Sequence, residues 1–109
     1  MNKIKPLSGR GGDIFYTYNG NIIEIKWSNT ILKLKRSIID DILNNFFRYK
    51  EKWYALGACV DNPIKNGLGE YITVKHKLTP RHASVIAAIM LKEGLIQFRG
   101  KRPIELKKI

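Results

Sequence analysis

The stretch that decides the fold spans residues 78–94 and reads LTPRHASVIAAIMLKEG. It predicts a helix over residues 80–93, because both ends carry residues that helices favour at their boundaries. Thr79 can cap the first turn, and Pro80 suits the first helical position, where its missing N–H is not needed. Gly94 suits the left-handed residue that follows the last turn.

The predicted helix has two different faces. The face expected in the core carries apolar side chains at helical spacing, namely Ala83, Ile86, Ala87 and Met90. The opposite face is shallow and basic, and it is formed by Arg81, Ser84, Ala88 and Lys92 with Val85 at its edge. Short side chains let a helix enter the major groove of DNA, and an arginine near its start can reach O6 and N7 of guanine together. The pattern therefore predicts a DNA-reading helix.

The segments on either side of this helix extend the pattern. Residues 67–72 are expected to form a short helix, so that the two helices and the turn between them make a helix-turn-helix. Residues 95–98 and 104–107 alternate as two strands. The turn between these strands is basic and contains Arg99, Lys101 and Arg102.

This order of elements resembles the winged helix-turn-helix DNA-binding domains, with residues 37–47 matching the first helix of that fold. The resemblance implies that residues 80–93 are the recognition helix in the major groove. It also implies that residues 99–102 are the tip of the wing, on the DNA backbone or in the minor groove. The step Thr79-Pro80-Arg81 is similar to the start of such a helix in accessory DNA-reading domains of restriction and modification enzymes.

The N-terminal third is expected to add β-structure to this fold. Residues 1–13 have the composition of a flexible basic arm, and residues 14–109 are expected to form a single domain. Asn19-Gly20 between β-rich runs predicts a hairpin, and residues 30–35 predict a third strand with Lys33 and Lys35 toward solvent. The expected fold class is α+β, a winged helix-turn-helix with an additional N-terminal β-hairpin or small sheet.

The middle of the chain is expected to form scaffold. Ser37 stands where a helix N-cap belongs, and apolar residues at helical spacing follow it through Phe46 and Phe47. An aromatic pair at helical spacing is typical of buried residues, so we expect it in the core. Residues 53–60 are expected to form a strand.

Charge separates this sequence from an ordinary small domain. Its 109 residues carry 20 Lys and Arg against 9 Asp and Glu, a formal net charge of +11. Residues 1–36 hold seven basic and two acidic groups, residues 37–66 four of each, and residues 67–109 nine basic and three acidic. Basic residues thus exceed acidic ones in the first and last segments and not in the middle one. An excess of positive charge concentrated in this way predicts an acidic polymer as partner. A genome rich in A·T pairs would also produce many lysines, but it would not explain the shortage of acids.

The sequence therefore predicts a non-catalytic module that binds double-stranded DNA. The residues expected to contact DNA are Thr79, Arg81, His82, Ser84, Val85, Lys92, Arg99, Lys101, Arg102, Lys33 and Lys35. One alternative is an adaptor that binds RNA or single strands by stacking bases on Tyr16, Tyr18 and Trp27. A second alternative is a winged helix that contacts proteins, and membership in a larger protein or complex stays open.

Other classes of function have little support in the sequence. Acidic residues are scattered, so no metal-dependent nuclease site is expected, and Cys59 with His82 would need a third orienting group. A lone cysteine with His76 and His82 does not make a metal site, so we expect neither catalytic residues nor cofactor. No apolar run approaches the roughly 18 residues of a membrane span and no secretory signal is evident, which predicts no membrane association and a cytoplasmic, nucleoid-associated location.

Overall fold

Three helices and two antiparallel sheets make up the fold of residues 1–61 and 64–109, the part of the chain that this computed structural model describes. The expectation of an α+β fold is confirmed. Along the chain, four strands come first, then a helix and a short strand, then two helices, and finally two strands.

The first four strands form one sheet in consecutive order. They are β1 (Asn2–Ile4), β2 (Ile14–Asn19), β3 (Ile22–Trp27) and β4 (Thr30–Lys35). The predicted hairpin is confirmed, because Asn19 pairs with Ile22 across a two-residue loop. Gly20 opens that loop with a φ of +64°, a conformation that glycine adopts without steric cost. The predicted third strand is β4, which pairs with β3 along its whole length.

The expectation of a flexible arm over residues 1–13 is wrong for its first part. β1 pairs with β2 in register from Asn2 opposite Tyr16 to Ile4 opposite Ile14. Ile4 supplies the apolar side chain that anchors this strand, since it is buried in the core. Lys3 and Lys5 lie 3.4 and 2.9 Å from carboxylate oxygens of Asp13, which ties the end of β1 to the start of β2.

The helix predicted over residues 37–47 forms, but with different boundaries. It consists of α1 (Arg36–Asp41), followed directly by a wider π-helical turn over Ile42–Phe46. Ser37 does not cap it, because the N-cap position is Lys35, and no side-chain capping hydrogen bond forms there within the described residues. Phe46 and Phe47 are buried, as expected of core residues.

Asp41 ties the first helix to the second, α2 (Leu68–His76). One carboxylate oxygen accepts a hydrogen bond from the Tyr71 hydroxyl at 2.7 Å and lies 2.7 Å from Nε2 of His76. The other accepts from Nδ2 of Asn45 at 2.7 Å. Partial burial opposes ionisation of Asp41, but the hydrogen bonds from Asn45, Tyr71 and His76 outweigh it and lower the pKa of this carboxyl.

The last two strands form a second sheet with the short strand that follows α1. These strands are β5 (Tyr54–Ala55), β6 (Ile96–Arg99) and β7 (Glu105–Lys108), in the order β5-β7-β6. The predicted C-terminal hairpin is confirmed within one residue. The strand expected over residues 53–60 is much shorter than predicted, because the chain leaves the sheet to pass under the start of α2.

That crossing is close. The N–H of Gly69 donates to the carbonyl of Leu56 at 2.9 Å, and a Cβ on Gly69 would collide with the carbonyl of Gly57. Only glycine fits at this position of α2. The helix predicted over residues 67–72 continues to His76 and ends at Lys77, which has a φ of +57°.

Candidate nucleic-acid interface

The third helix, α3 (His82–Lys92), is the helix that the sequence predicts to read DNA. It begins two residues later than expected, because Pro80 and Arg81 form a tighter turn in which His82 N–H donates to the carbonyl of Thr79. The predicted cap is wrong, since the N-cap position is Arg81 rather than Thr79, and the structure gives it no side-chain capping hydrogen bond within the described residues. Instead, the backbone N–H of Thr79 donates to Nδ1 of His82 at 3.3 Å.

The core face of α3 is the face that the sequence predicts. Ala83, Ile86, Ala87 and Met90 are completely buried, which confirms the predicted core face. The opposite face is not open as expected, because Val85 and Ala88 are each only 3% exposed. The prediction that these two residues line a DNA-reading surface is therefore wrong.

The N-terminal sheet is one of the elements that pack against α3, together with β6 and α2. The Trp27 ring contacts the His82 ring edge-on at 5.7 Å at the start of the helix, and β1 packs against the helix. At the far end, the Tyr16 hydroxyl donates to Oε2 of Glu93 at 2.8 Å. The sheet thus follows α3 from end to end, so that the helix is a core element rather than a protruding one.

What stays accessible on α3 lies mainly at its first turn. Arg81 is exposed, while His82 and Ser84 are half-buried. Burial, with a smaller contribution from the positive charge of Arg81, lowers the pKa of His82, so its imidazole is neutral at neutral pH. Lys92 is exposed at the other end of the helix.

The turn between β6 and β7 carries the cations predicted for a wing tip, but they are not equivalent. Nε of Arg99 donates to Glu105 at 3.0 Å, and its guanidinium lies 4.2 Å from the centre of the Trp53 ring. Arg99 is therefore held by neighbours inside the molecule. Lys101 and Arg102, by contrast, are exposed and take part in no ion pair among the residues that the structure describes.

Two adjoining depressions share this turn, and together we call them the wing groove. One lies between the turn and the N-terminal segment and is lined by Leu7, Ser8, Arg10, Phe98 and residues 100–102 and 104. The other lies between the turn and the start of α3 and is lined by residues 56–59, Ile64, Ser84 and residues 101–104. Within the described chain, neither lining includes an acidic side chain.

Lys33 and Lys35 do not line the wing groove. They lie on β4, the last strand of the N-terminal sheet, where both are exposed. Because side chains alternate along a strand, they point away from the buried Leu34 between them. Lys33 and Lys35 thus lie on a different surface from Lys101 and Arg102.

The acidic side chains are largely engaged within the molecule, and most of the basic side chains have no acidic partner in the described residues. Among contacts within the described residues, six of the nine acidic side chains accept a hydrogen bond or pair with a cation. They are Asp13, Asp41, Glu51, Glu70, Glu93 and Glu105. Lys101, Arg102 and Arg10 have no such partner in the described residues, so the wing groove is basic.

The aromatic residues named for base stacking lie on the wrong side of the N-terminal sheet. Tyr16 is completely buried, and Tyr18 and Trp27 are half-buried on the same inner face. Stacking on Tyr16 is therefore ruled out by its burial. Phe15 is the aromatic residue of β2 that points to the outer face.

Sequence reasoning missed Arg10 as a groove residue. It lies in a glycine-rich segment that predicts a loose tail, and only the pairing of β1 with β2 brings it beside the wing. The sequence held one indication that this segment is fixed. Leu7, an apolar residue shortly before Arg10, packs against the core.

Comparisons with models of known protein families, with curated proteins and with solved structures found no match for this chain. Within the described residues, no helix has the length and apolar character needed to cross a membrane. The same residues contain no group of three His, Cys, Asp or Glu side chains placed to hold a metal ion.

Proposed function

We propose that this chain is a non-catalytic module that binds double-stranded DNA through the wing groove. The observation that carries the proposal is the meeting of Arg10, Lys101 and Arg102 around a groove whose described lining has no acidic side chain. Phosphates dominate the affinity of proteins for DNA, and exposed cations without internal partners are the groups that neutralise them.

The order of elements supports a winged helix-turn-helix. From α1 onward the chain runs helix, short strand, two helices and a hairpin, and the short strand pairs with the last strand of that hairpin. Winged helix-turn-helix domains have this arrangement, with the hairpin turn as the wing. The N-terminal four-stranded sheet is an addition to it.

In this proposal the wing groove, rather than the middle of α3, contacts the duplex. The burial of Val85 and Ala88 prevents α3 from lying lengthwise in a major groove. Arg81 and Ser84, at the first turn, can still reach a phosphate beside the wing, and the half-buried Ser84 lines the groove itself. Contacts of this kind position a protein on DNA without reading bases, so we expect little dependence on sequence.

The proposal is tested by titrating the protein with random-sequence duplex DNA, single-stranded DNA and RNA over a series of salt concentrations. We expect the duplex to bind, with log K falling linearly as log salt rises. We expect no cleavage when Mg²⁺ or Mn²⁺ is added. Absence of duplex binding at low salt would contradict the binding proposal, and metal-dependent cleavage would contradict the non-catalytic one.

A further inference from the structure

The outer face of the N-terminal sheet is a second basic surface. The pairing of the four strands places one outward-facing residue from each side by side in a row, namely Lys3, Phe15, Lys26 and Ile31. A second row aligns Thr17, Glu24 and Lys33, and a third aligns Asn19, Ile22 and Lys35. With strands about 4.8 Å apart, the first row spans about 14 Å.

Charge on this outer face is mainly positive. Lys26, Lys33 and Lys35 are exposed and have no ion-pair partner within 4 Å in the described chain. Lys3 is partly compensated, since it lies 3.4 Å from Asp13. Glu24 stands opposite Lys33 and is the acidic residue within the three rows. The excess therefore favours a polyanion over a neutral or basic partner.

Apolar surface lies between these charges. Ile31 is 70% exposed, and Phe15 is half-buried between Lys3 and Lys26 in the same row. Lysines often protect an edge strand such as β4 from pairing with other chains. Protection of an edge strand does not explain Phe15 and Lys26, because Phe15 lies on β2 and Lys26 on β3, the two central strands of the sheet.

We propose that the outer face of the N-terminal sheet binds a single-stranded nucleic-acid segment, with a base stacked on Phe15 and phosphates beside Lys26, Lys33 and Lys35. Unpaired bases have flat apolar faces that stack on aromatic rings, whereas the faces of the bases in a duplex are covered by their neighbours in the stack. An alternation of cations and apolar side chains on one open face matches the alternation of phosphate and base along a single strand.

This surface is separate from the wing groove. The two share no residue, and the sheet itself lies between its outer face and α3. The inference rests on the proposed function only in the choice of nucleic acid as polyanion, so each surface has its own test.

The experiment measures binding of a labelled short oligothymidylate and of a labelled random duplex to four forms of the full chain. They are the wild type, the outer-face variant Lys26→Gln/Lys33→Gln/Lys35→Gln, the single variant Phe15→Leu, and the control variant Lys50→Gln/Lys65→Gln/Lys75→Gln. The control removes the same charge from exposed positions outside both surfaces. Thermal transitions establish that each form is folded.

We expect Phe15→Leu to weaken oligothymidylate binding by a factor of about five or more, because the base no longer stacks on an aromatic ring. The outer-face variant should weaken it further and flatten its salt dependence, while duplex binding changes no more than in the control. A folded outer-face variant that binds the single strand as well as the control would overturn the inference. Absence of duplex binding in every form, with single-strand binding intact, would instead contradict the proposed function and leave this inference standing.

Discussion

The Tyr16 hydroxyl donates a hydrogen bond to Oε2 of Glu93 at 2.8 Å, across 77 residues of sequence. This contact joins the N-terminal sheet to the end of α3. Burial raises the pKa of Tyr16, and the hydrogen bond to Glu93 adds to the effect, so the hydroxyl stays protonated as a donor.

Replacing Tyr16 by Phe tests the contribution of this contact to stability. The ring stays in the core, and the carboxylate left behind belongs to the exposed Glu93, which water can hydrate. We therefore expect a loss of only about 1 kcal/mol in the free energy of unfolding, measured by urea denaturation. Glu93→Gln, which keeps an acceptor oxygen at the same place, should lose less. A loss above about 3 kcal/mol for Tyr16→Phe would mean that the hydroxyl has a second buried partner.

Gly69→Ala tests the close crossing of α2 over the chain at Gly57. The new Cβ would meet the Gly57 carbonyl and would also lie 3.1 Å from Cβ of Pro80, so the backbone has to move. We expect a destabilisation of about 1–3 kcal/mol or more, measured by denaturant titration. Gly12→Ala is the matched control, since its Cβ would have no neighbour within 4 Å among the described residues, and it should change stability by no more than about 0.5 kcal/mol. Equal stability of the two variants would contradict the described crossing.

The hydrogen bonds to Asp41 predict how stability depends on pH. Because the folded state lowers the pKa of this carboxyl below its ordinary value of 3.8, ionised Asp41 stabilises the fold above that value. The stabilisation disappears as pH falls through the folded pKa. We expect the free energy of unfolding to decline in this acidic range, and Asp41→Asn to be less stable at neutral pH with a flatter decline. An Asp41→Asn variant with the same acid profile as the wild type would show that other carboxyl groups cause the decline.

Local pattern was enough to predict much of the fold. The hairpin at Asn19-Gly20, the third strand and the C-terminal hairpin each carry their own turn signals and alternation, and they form within one residue of the expected places. The core face of α3 was also predictable, because its apolar residues repeat at helical spacing. These features depend on neighbours in sequence, which a single chain displays directly.

The candidate site was less predictable, because it depends on contacts between distant segments. Ala88 is compatible with both an open and a covered helix face, and only the packing of α3 against the rest of the fold decides between them. Likewise, Arg99 has the sequence context of a free wing residue, but Trp53 and Glu105 hold it in place. Neither interaction leaves a periodic signal in the sequence.

Replacing Arg81 by Ala tests whether this side chain reads bases or contacts the DNA backbone. If the covered face of α3 cannot enter the major groove, Arg81→Ala should weaken all duplex sequences by a similar factor, measured on a panel of random and selected sites. Lys92→Ala serves as the control, because it lies eight residues, or about 12 Å, along the helix from the groove residue Ser84 and should change affinity little. A loss confined to one preferred site would instead establish that Arg81 reads bases.

The measurement that tests the proposed DNA-binding surface most directly is the salt dependence of duplex binding by the wing variant Lys101→Gln/Arg102→Gln. We predict weaker binding to every duplex, and a slope of log K against log salt that is flatter by up to about 0.9 for each phosphate that the variant no longer neutralises. Lys50→Gln/Lys65→Gln removes the same charge elsewhere and should keep the wild-type slope. A wing variant that is folded by its thermal transition, yet keeps both the affinity and the salt slope of the wild type, would contradict binding at the wing groove.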